Sequence, residues 1–263
     1  MTSITGIGRS LQPNLRTHQV ALAGAVLAAT GYAAVAAFTD RDVADALAVG
    51  LAVLISWMIG RELDPDRTTV AVIAMPLAFV ASVYVVPSLL AAFAVLIAVR
   101  LVAGTVGAAI TPVDLAVLAF IGFVTGSTSV LWIVGLAIGM WLFTSPEVGK
   151  LKPYGLVALI AGTVIGVMLA DAQDIAITQE AYVLAAVGGV VMMLAMSPKT
   201  IVSNTDARSG IVEARRVGLA RKAAGSFVMW AAIMGGVAGF WMVSPVLAAL
   251  TATVVVKWFS AGA

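Results

Sequence analysis

The sequence has no cysteine and only one histidine, His18. Without thiols, the chain forms no disulfide and holds no thiolate-bound metal. A single imidazole excludes a histidine-based metal cluster, and its place ahead of the first apolar run excludes Ser-His-Asp catalysis. The missing residue types therefore remove the commonest metal sites and nucleophilic hydrolysis from consideration.

Charged residues are scarce as well, at 11% of the chain, whereas 62% of the residues are hydrophobic. A soluble domain carries about 25% charged residues and about half apolar ones. Because so little polar surface cannot cover a water-facing globule, lipid must be the solvent for most of this chain. No Asp, Glu, Lys or His lies near the middle of a long apolar run. That absence disfavours the buried proton relays of pumps and proton-coupled carriers.

Apolar runs near 20 residues are long enough to cross the hydrocarbon of a bilayer, at about 1.5 Å per helical residue. Merged runs are divided at Pro87, at "GSTS" (126–129) and at "VSP" (243–245), because proline suits the first turn of a helix better than its interior. The sequence thus predicts an all-α, polytopic transmembrane helix bundle of about ten spans in five hairpins. The predicted spans are 19–38, 43–60, 69–86, 88–106, 112–127, 129–145, 154–171, 180–197, 225–243 and 245–259.

The basic residues orient these predicted spans. With the N-terminus in the cytoplasm, alternation places every lysine and arginine except Arg41 on the cytoplasmic side, as the positive-inside rule requires. We therefore expect both termini in the cytoplasm and the protein in the cell (inner) membrane. The chain, 1–263, is predicted to be one integral membrane domain. It has a cytoplasmic tail at 1–18 and a basic cytoplasmic loop at 199–224.

The stretch "GRELDPDRTT" (60–69) is the densest charge cluster in the sequence. The spacing of Asp64 and Asp66 suits a shared Mg²⁺, which prefers one or two carboxylates plus substrate phosphates. The same residues are also typical of a turn, since Asp-Pro initiates turns and acidic or hydroxyl residues begin helices. Arg61 and Arg67 nearly neutralise the stretch. A metal or phosphate site and a capped, self-neutralised turn both stay open.

Other polar residues are predicted on the same face and could converge on this stretch, and the bases between Arg208 and Lys222 would then attract a phosphate. Arg100 is the one ionisable residue well inside a predicted span. It lies close enough to the cytoplasmic end to snorkel, and Asp114 is its expected partner. The cytoplasmic-face candidates are Arg61, Glu62, Asp64, Asp66, Arg67, Arg100, Asp114, Asn204, Asp206 and Arg208.

Two features predict partners. The basic segment 199–222 is expected to attract anionic lipid headgroups, at roughly 1 kcal/mol per base. No aromatic residues interleave its bases, so a nucleic-acid partner is not expected. Small residues spaced four apart drive helix packing in lipid and could also support a homo-oligomer. Such G-x-x-x-G pairs occur at Gly135/Gly139, Gly162/Gly166 and Gly235/Gly239.

Three functional hypotheses follow. The first is a small carrier or channel for an uncharged or weakly anionic solute, because polytopic bundles with almost no soluble mass mostly move a solute. The second is a Mg²⁺-dependent enzyme that acts on a lipid or isoprenoid phosphate at the cytoplasmic face, with Asp64, Asp66 and Asp206 around the ion. The third is a non-catalytic membrane scaffold or assembly subunit, which requires nothing of these residues.

Overall fold

The computed structural model describes residues 11–106, 111–127, 152–169, 178–195, 198, 200–205 and 210–261. These ranges are helical apart from their connections, and their one β-type contact is an isolated bridge between Asn204 and Ile211. The all-α prediction is therefore confirmed. The helices are α1 Arg16–Ala37, α2 Ala46–Leu63, α3 Thr68–Tyr84, α4 Leu89–Ala103, α5 Pro112–Ser127, α6 Lys152–Leu169, α7 Gln179–Leu194, α8 Ala214–Met242 and α9 Ser244–Ala261.

Three of the described helical segments are long and apolar enough to cross a membrane: Arg16–Ala37, Val43–Leu63 and Ala214–Met242. The second joins α2 to a preceding 3₁₀ turn, in which the Asp42 carboxylate accepts the Ala44 N–H at 2.8 Å. The remaining described helices are shorter but also apolar. Large apolar side chains point outward along the bundle, with Leu27 70% and Met168 78% exposed. An apolar outer surface of this kind suits lipid better than water.

Helix boundaries follow the proline signals closely. α3 ends at Tyr84 and α4 begins at Leu89, on either side of Pro87. The Ser88 hydroxyl caps α4 by accepting the Ala91 N–H at 3.2 Å. Likewise, α8 ends at Met242 and α9 begins at Ser244. The predicted span 129–145 lies outside the described residues.

The predicted loop 199–224 is wrong in its second half, because α8 begins at Ala214. Its opening residues, "ARRVGLARKAAG", are nearly all good helix formers. One side of these turns is also buried, with Val217 and Ala220 fully covered. Hydropathy alone missed this helical start because its arginines and lysine outweigh the apolar residues between them.

Small residues let neighbouring helices approach closely. An added Cβ at Gly60 of α2 would stand 2.9 Å from the Ala71 Cα of α3, and one at Gly50 would stand 2.8 Å from the Ala25 oxygen of α1. His18, near the start of α1, packs edge-on against Trp57, near the end of α2, with 5.3 Å between ring centroids. α1 and α2 therefore run antiparallel.

α5 and α6 pack backbone against backbone through glycines on both helices. An added Cβ at Gly122 would collide with the Leu159 carbonyl, and one at Gly126 with the Thr163 carbonyl. On the other side, Gly162 and Gly166 approach the backbone of α5 equally closely. Residue numbers rise together along both helices, so α5 and α6 run parallel. The predicted packing role of the Gly162/Gly166 pair is observed directly.

α8 is interrupted at Gly236, whose φ of 58° and ψ of −143° leave the helical region. After the interruption the chain bends sharply, so that an added Cβ at Gly239 would meet the Ala231 oxygen. The sequence predicted that Gly235 and Gly239 share one face of a continuous helix, and this prediction is wrong because of the interruption at Gly236. Beyond the bend, the Met242 oxygen accepts the Ser88 N–H at 3.1 Å.

Candidate functional site

The stretch 61–69 covers the last residues of α2, the short turn 64–67 and the start of α3. It lies at an end of the bundle that we call the charged end. α2 finishes at Leu63 and α3 starts at Thr68. The Arg61 guanidinium donates to the Thr68 hydroxyl at 2.8 Å and so spans the turn. The three carboxylates of this stretch contact three different partners, and each partner lies in a distant part of the sequence.

Glu62 is completely buried and ties α2 to the end of α4. Its Oε1 accepts the Arg100 Nε–H at 2.9 Å, and its Oε2 accepts the Thr105 hydroxyl. Arg100 is itself only 7% exposed. A buried carboxylate needs a partner of opposite charge together with hydrogen bonds, and Glu62 obtains both from α4 and the residues that follow it.

The prediction that Asp114 pairs with Arg100 is wrong, because Arg100 pairs with Glu62. Asp114 instead caps the start of α5, where its carboxylate accepts the Thr111 N–H at 2.7 Å and the Thr111 hydroxyl at 2.9 Å. In return, the Thr111 hydroxyl oxygen accepts the Asp114 N–H at 3.4 Å. The two residues thus form the reciprocal cap expected when a threonine precedes an acidic residue by three positions at a helix start. Local capping engages Asp114, and the buried end of α2 supplies the carboxylate for Arg100.

Asp64 meets Arg221, a buried residue of α8 that connects three helices. Arg221 Nη2 lies 3.2 Å from Asp64 Oδ2, its Nε donates to the Leu63 oxygen at 2.8 Å, and its Nη1 donates to the Ala195 oxygen at 3.1 Å. Leu63 ends α2 and Ala195 follows α7. The carbonyl end of a helix carries partial negative charge, so one guanidinium neutralises two helix ends and a carboxylate.

Asp66 is exposed and anchors the connection that precedes α8. Its carboxylate accepts the Ser203 hydroxyl at 2.6 Å, the Ser203 N–H at 2.9 Å and the Val202 N–H at 3.1 Å. This side chain therefore joins the α2–α3 turn to a segment more than a hundred residues later. Arg67, beside it, is exposed.

The pKa values of the two aspartates of the turn are shifted in opposite directions. Burial raises the pKa of Asp64 above its ordinary value, and the nearby Arg221 offsets only part of that effect. Partial burial would also raise the pKa of Asp66, but the hydrogen bonds from Ser203 and Val202 outweigh it and lower the pKa. Asp66 is thus ionised, and its carboxylate already accepts hydrogen bonds from the protein itself.

A second arginine of α8 caps α4. Arg216 donates from Nη2 to the Leu101 oxygen at 3.0 Å and from Nε to the Val102 oxygen at 3.1 Å. Gly104 ends α4 in the left-handed conformation, at φ 68°, and an added Cβ there would overlap the Arg216 guanidinium. The glycine is required twice, for its backbone angle and for the space that it leaves.

The charged end brings together several of the predicted candidates, namely Arg61, Glu62, Asp64, Asp66 and Arg100. Asn204 lies in the adjacent connection, exposed and bridged to Ile211, whereas Asp206 and Arg208 lie outside the described residues. Sequence reasoning singled out no structural role for Thr105, Ser203, Arg216 or Arg221. The two arginines bind mainly main-chain oxygens, which leave no signal in a sequence.

No group of three or more His, Asp or Glu side chains that could hold a metal ion occurs in the described part of the chain. The carboxylates diverge to separate partners, so the observed chemistry of this end is the joining of helices. It links α2, α4, α7 and α8 through buried charges and capped helix ends. No family model, curated protein or solved structure matches the chain.

Proposed function

We propose that the chain is a multi-pass protein of the cell (inner) membrane, with about ten spans in five hairpins, one integral domain over 1–263 and both termini in the cytoplasm. The charged end would be its cytoplasmic face. The contacts of Arg221 support this arrangement, because they bring the start of α8 to the ends of α2 and α7. The end of α8 correspondingly lies beside the start of α4, where Ser88 meets Met242.

The parallel packing of α5 and α6 supports the proposed number of membrane crossings. Two parallel helices in a membrane require an odd number of crossings between them. The predicted span 129–145 supplies one crossing between Ser127 and Lys152. A reporter fused after Ala263 should be cytoplasmic, and one fused after Phe38 should lie outside. The reverse result at either position would overturn the topology.

We further propose that this protein is a small carrier or channel for an uncharged or weakly anionic solute. The interruption of α8 at Gly236 carries this proposal. In membranes, non-helical backbone occurs where it is buried in protein or lines a water-filled cavity, and interrupted helices form the solute sites of many transporters. Among the described residues, no atom beyond the adjoining backbone of the same helix and the two chain neighbours lies within 4 Å of an added Cβ at Gly236, so the space beside the interruption is open.

Solute flux tests the proposal. The purified chain is reconstituted into liposomes, and shrinkage after osmotic shock is followed by light scattering with glycerol, urea, formate and acetate as solutes. Flux of at least one solute should exceed that of empty liposomes. Gly236→Ala should abolish the excess, because an alanine is strained at these backbone angles. Gly31→Ala is the matched control, since its Cβ would meet Phe79 at an ordinary 3.4 Å.

The alternatives give different results in the same preparations. A Mg²⁺-dependent enzyme would gain thermal stability from Mg²⁺ through Asp64 and Asp66, and the Asp64→Asn/Asp66→Asn variant would lose that gain. We expect no such gain, because Arg221 and Ser203 already hold the two carboxylates. Absence of flux for every solute, with Gly236→Ala indistinguishable from the unchanged protein, would favour a scaffold.

A further inference from the structure

The four bases at the start of α8 divide between two faces of the helix. Arg216 and Arg221 turn inward and bind the carbonyl ends of other helices. Arg215 and Lys222 are exposed. They are seven residues apart, which places them nearly above one another on the same face. Leu219, 47% exposed, lies between them.

This face lies at the level where lipid headgroups begin, given the proposed membrane orientation on which the inference rests. Arg221, one position before Lys222, binds the Leu63 and Ala195 oxygens at the ends of α2 and α7. The start of α8 therefore lies level with the ends of other helices, at the boundary of the hydrocarbon. Long basic side chains in that position direct their charge toward the phosphates while their methylenes stay in apolar surroundings.

The connection before α8 adds apolar side chains at the same end. Val202 is 78% exposed and Ile211 is 64% exposed, although both lie outside the apolar helices. Exposed aliphatic groups next to exposed cations are the pattern of a segment that lies in a membrane interface. Glu213 is the acidic residue nearest to Arg215 along the sequence. It lies two positions earlier and so does not share the same face of the helix.

We propose that Arg215, Leu219 and Lys222, which we call the basic face, bind the headgroup of an anionic phospholipid. The Arg215 guanidinium offers paired donors to the phosphate, and the Lys222 ammonium adds a second positive charge. The Leu219 side chain contacts the first methylenes of an acyl chain. The inference narrows the proposed lipid contact of 199–222 to two bases and excludes Arg216 and Arg221, whose donors serve the protein.

Lipid preference of the full chain tests the basic face. Binding of phosphatidylglycerol relative to phosphatidylcholine is measured by native mass spectrometry after release from mixed-lipid nanodiscs. At roughly 1 kcal/mol per base, Arg215→Gln/Lys222→Gln should lower the preference by about 30-fold. Arg16→Gln/Lys257→Gln is the matched control, since it removes two exposed bases and the same charge from elsewhere. The charge-preserving Arg215→Lys/Lys222→Arg should keep most of the preference.

Each remaining outcome has a defined meaning. No preference for phosphatidylglycerol in the unchanged protein, or an equal loss in the control pair, would overturn the inference. Displacement of the lipid by inorganic phosphate at matched ionic strength would also overturn it, by assigning the bases to a free anion. Equal unfolding stability of both pairs in phosphatidylcholine alone verifies folding. Solute flux is not part of this measurement, so the lipid preference can be confirmed or refuted whether or not the carrier proposal holds.

Discussion

Replacing Arg221 by methionine should strongly destabilise the protein. The side chain is 4% exposed, and methionine keeps much of its length while removing every donor. The change leaves the Leu63 and Ala195 oxygens without this donor and Asp64 without its cation. Removing one partner of a buried ion pair costs about 3–5 kcal/mol, because the other charge stays buried. We therefore expect about 3–5 kcal/mol of lost unfolding free energy.

Asp64 separates the ionic part of this loss from the rest. Asp64→Asn leaves Arg221 its two carbonyl acceptors, so the expected loss is smaller, about 1–3 kcal/mol. Because the two residues touch, the double variant should lose less than the two single losses combined. Unfolding free energies can be measured by steric trapping in bicelles, with all variants in the same lipid.

Arg215→Met, six positions earlier and exposed, is the matched control. In phosphatidylcholine bicelles, which contain no anionic phospholipid, it should change stability by no more than about 0.5 kcal/mol. A loss for Arg221→Met no larger than that for Arg215→Met would refute the reasoning. So would strict additivity with Asp64→Asn, since it would mean that the two side chains do not interact.

Three further predictions use the same measurement. Gly104→Ala should cost about 2–4 kcal/mol, because it strains a left-handed position and displaces Arg216 from the end of α4; a wild-type value would contradict both requirements. Gly162→Ala should cost about 1–3 kcal/mol by forcing α5 and α6 apart, and unchanged stability would show that the two backbones are not in contact. The lowered pKa of Asp66 means that its ionised form contributes stability above its ordinary value of 3.8 and loses that contribution as pH falls through the lowered value. The stability difference between the unchanged protein and Asp66→Asn should therefore shrink on acidification, and a difference that grew would contradict the pKa direction.

The sequence predicted the helices well where local chemistry marks their ends. Pro87 separates α3 from α4, and the "VSP" segment separates α8 from α9, because proline ends one helix and opens the next. The start of α5 coincides with the predicted 112, where Thr111 and Asp114 form a cap within four residues. Signals of this kind are complete within one short segment.

The contacts of the charged end are non-local, and this explains what the sequence could not reveal. Glu62 and Arg100 are 38 positions apart, and Asp114 was the nearer carboxylate. Arg221 binds the oxygens of Leu63 and Ala195, and every residue has a carbonyl oxygen, so no residue type marks an acceptor. Charge counting predicted that these residues share one face but could not assign their partners.

The parallel contact of α5 and α6 also has a consequence for synthesis. Gly122 cannot meet Leu159 until the ribosome has added the 37 residues from Phe123 to Leu159 and the rest of α6. At about 5–20 residues per second, α5 waits in the membrane for several seconds with its glycine face uncovered. Neighbours such as α2 and α3, joined by one short turn, can pair as soon as the second helix emerges. The glycine face of α5 therefore stays uncovered during insertion for longer than the facing surfaces of α2 and α3.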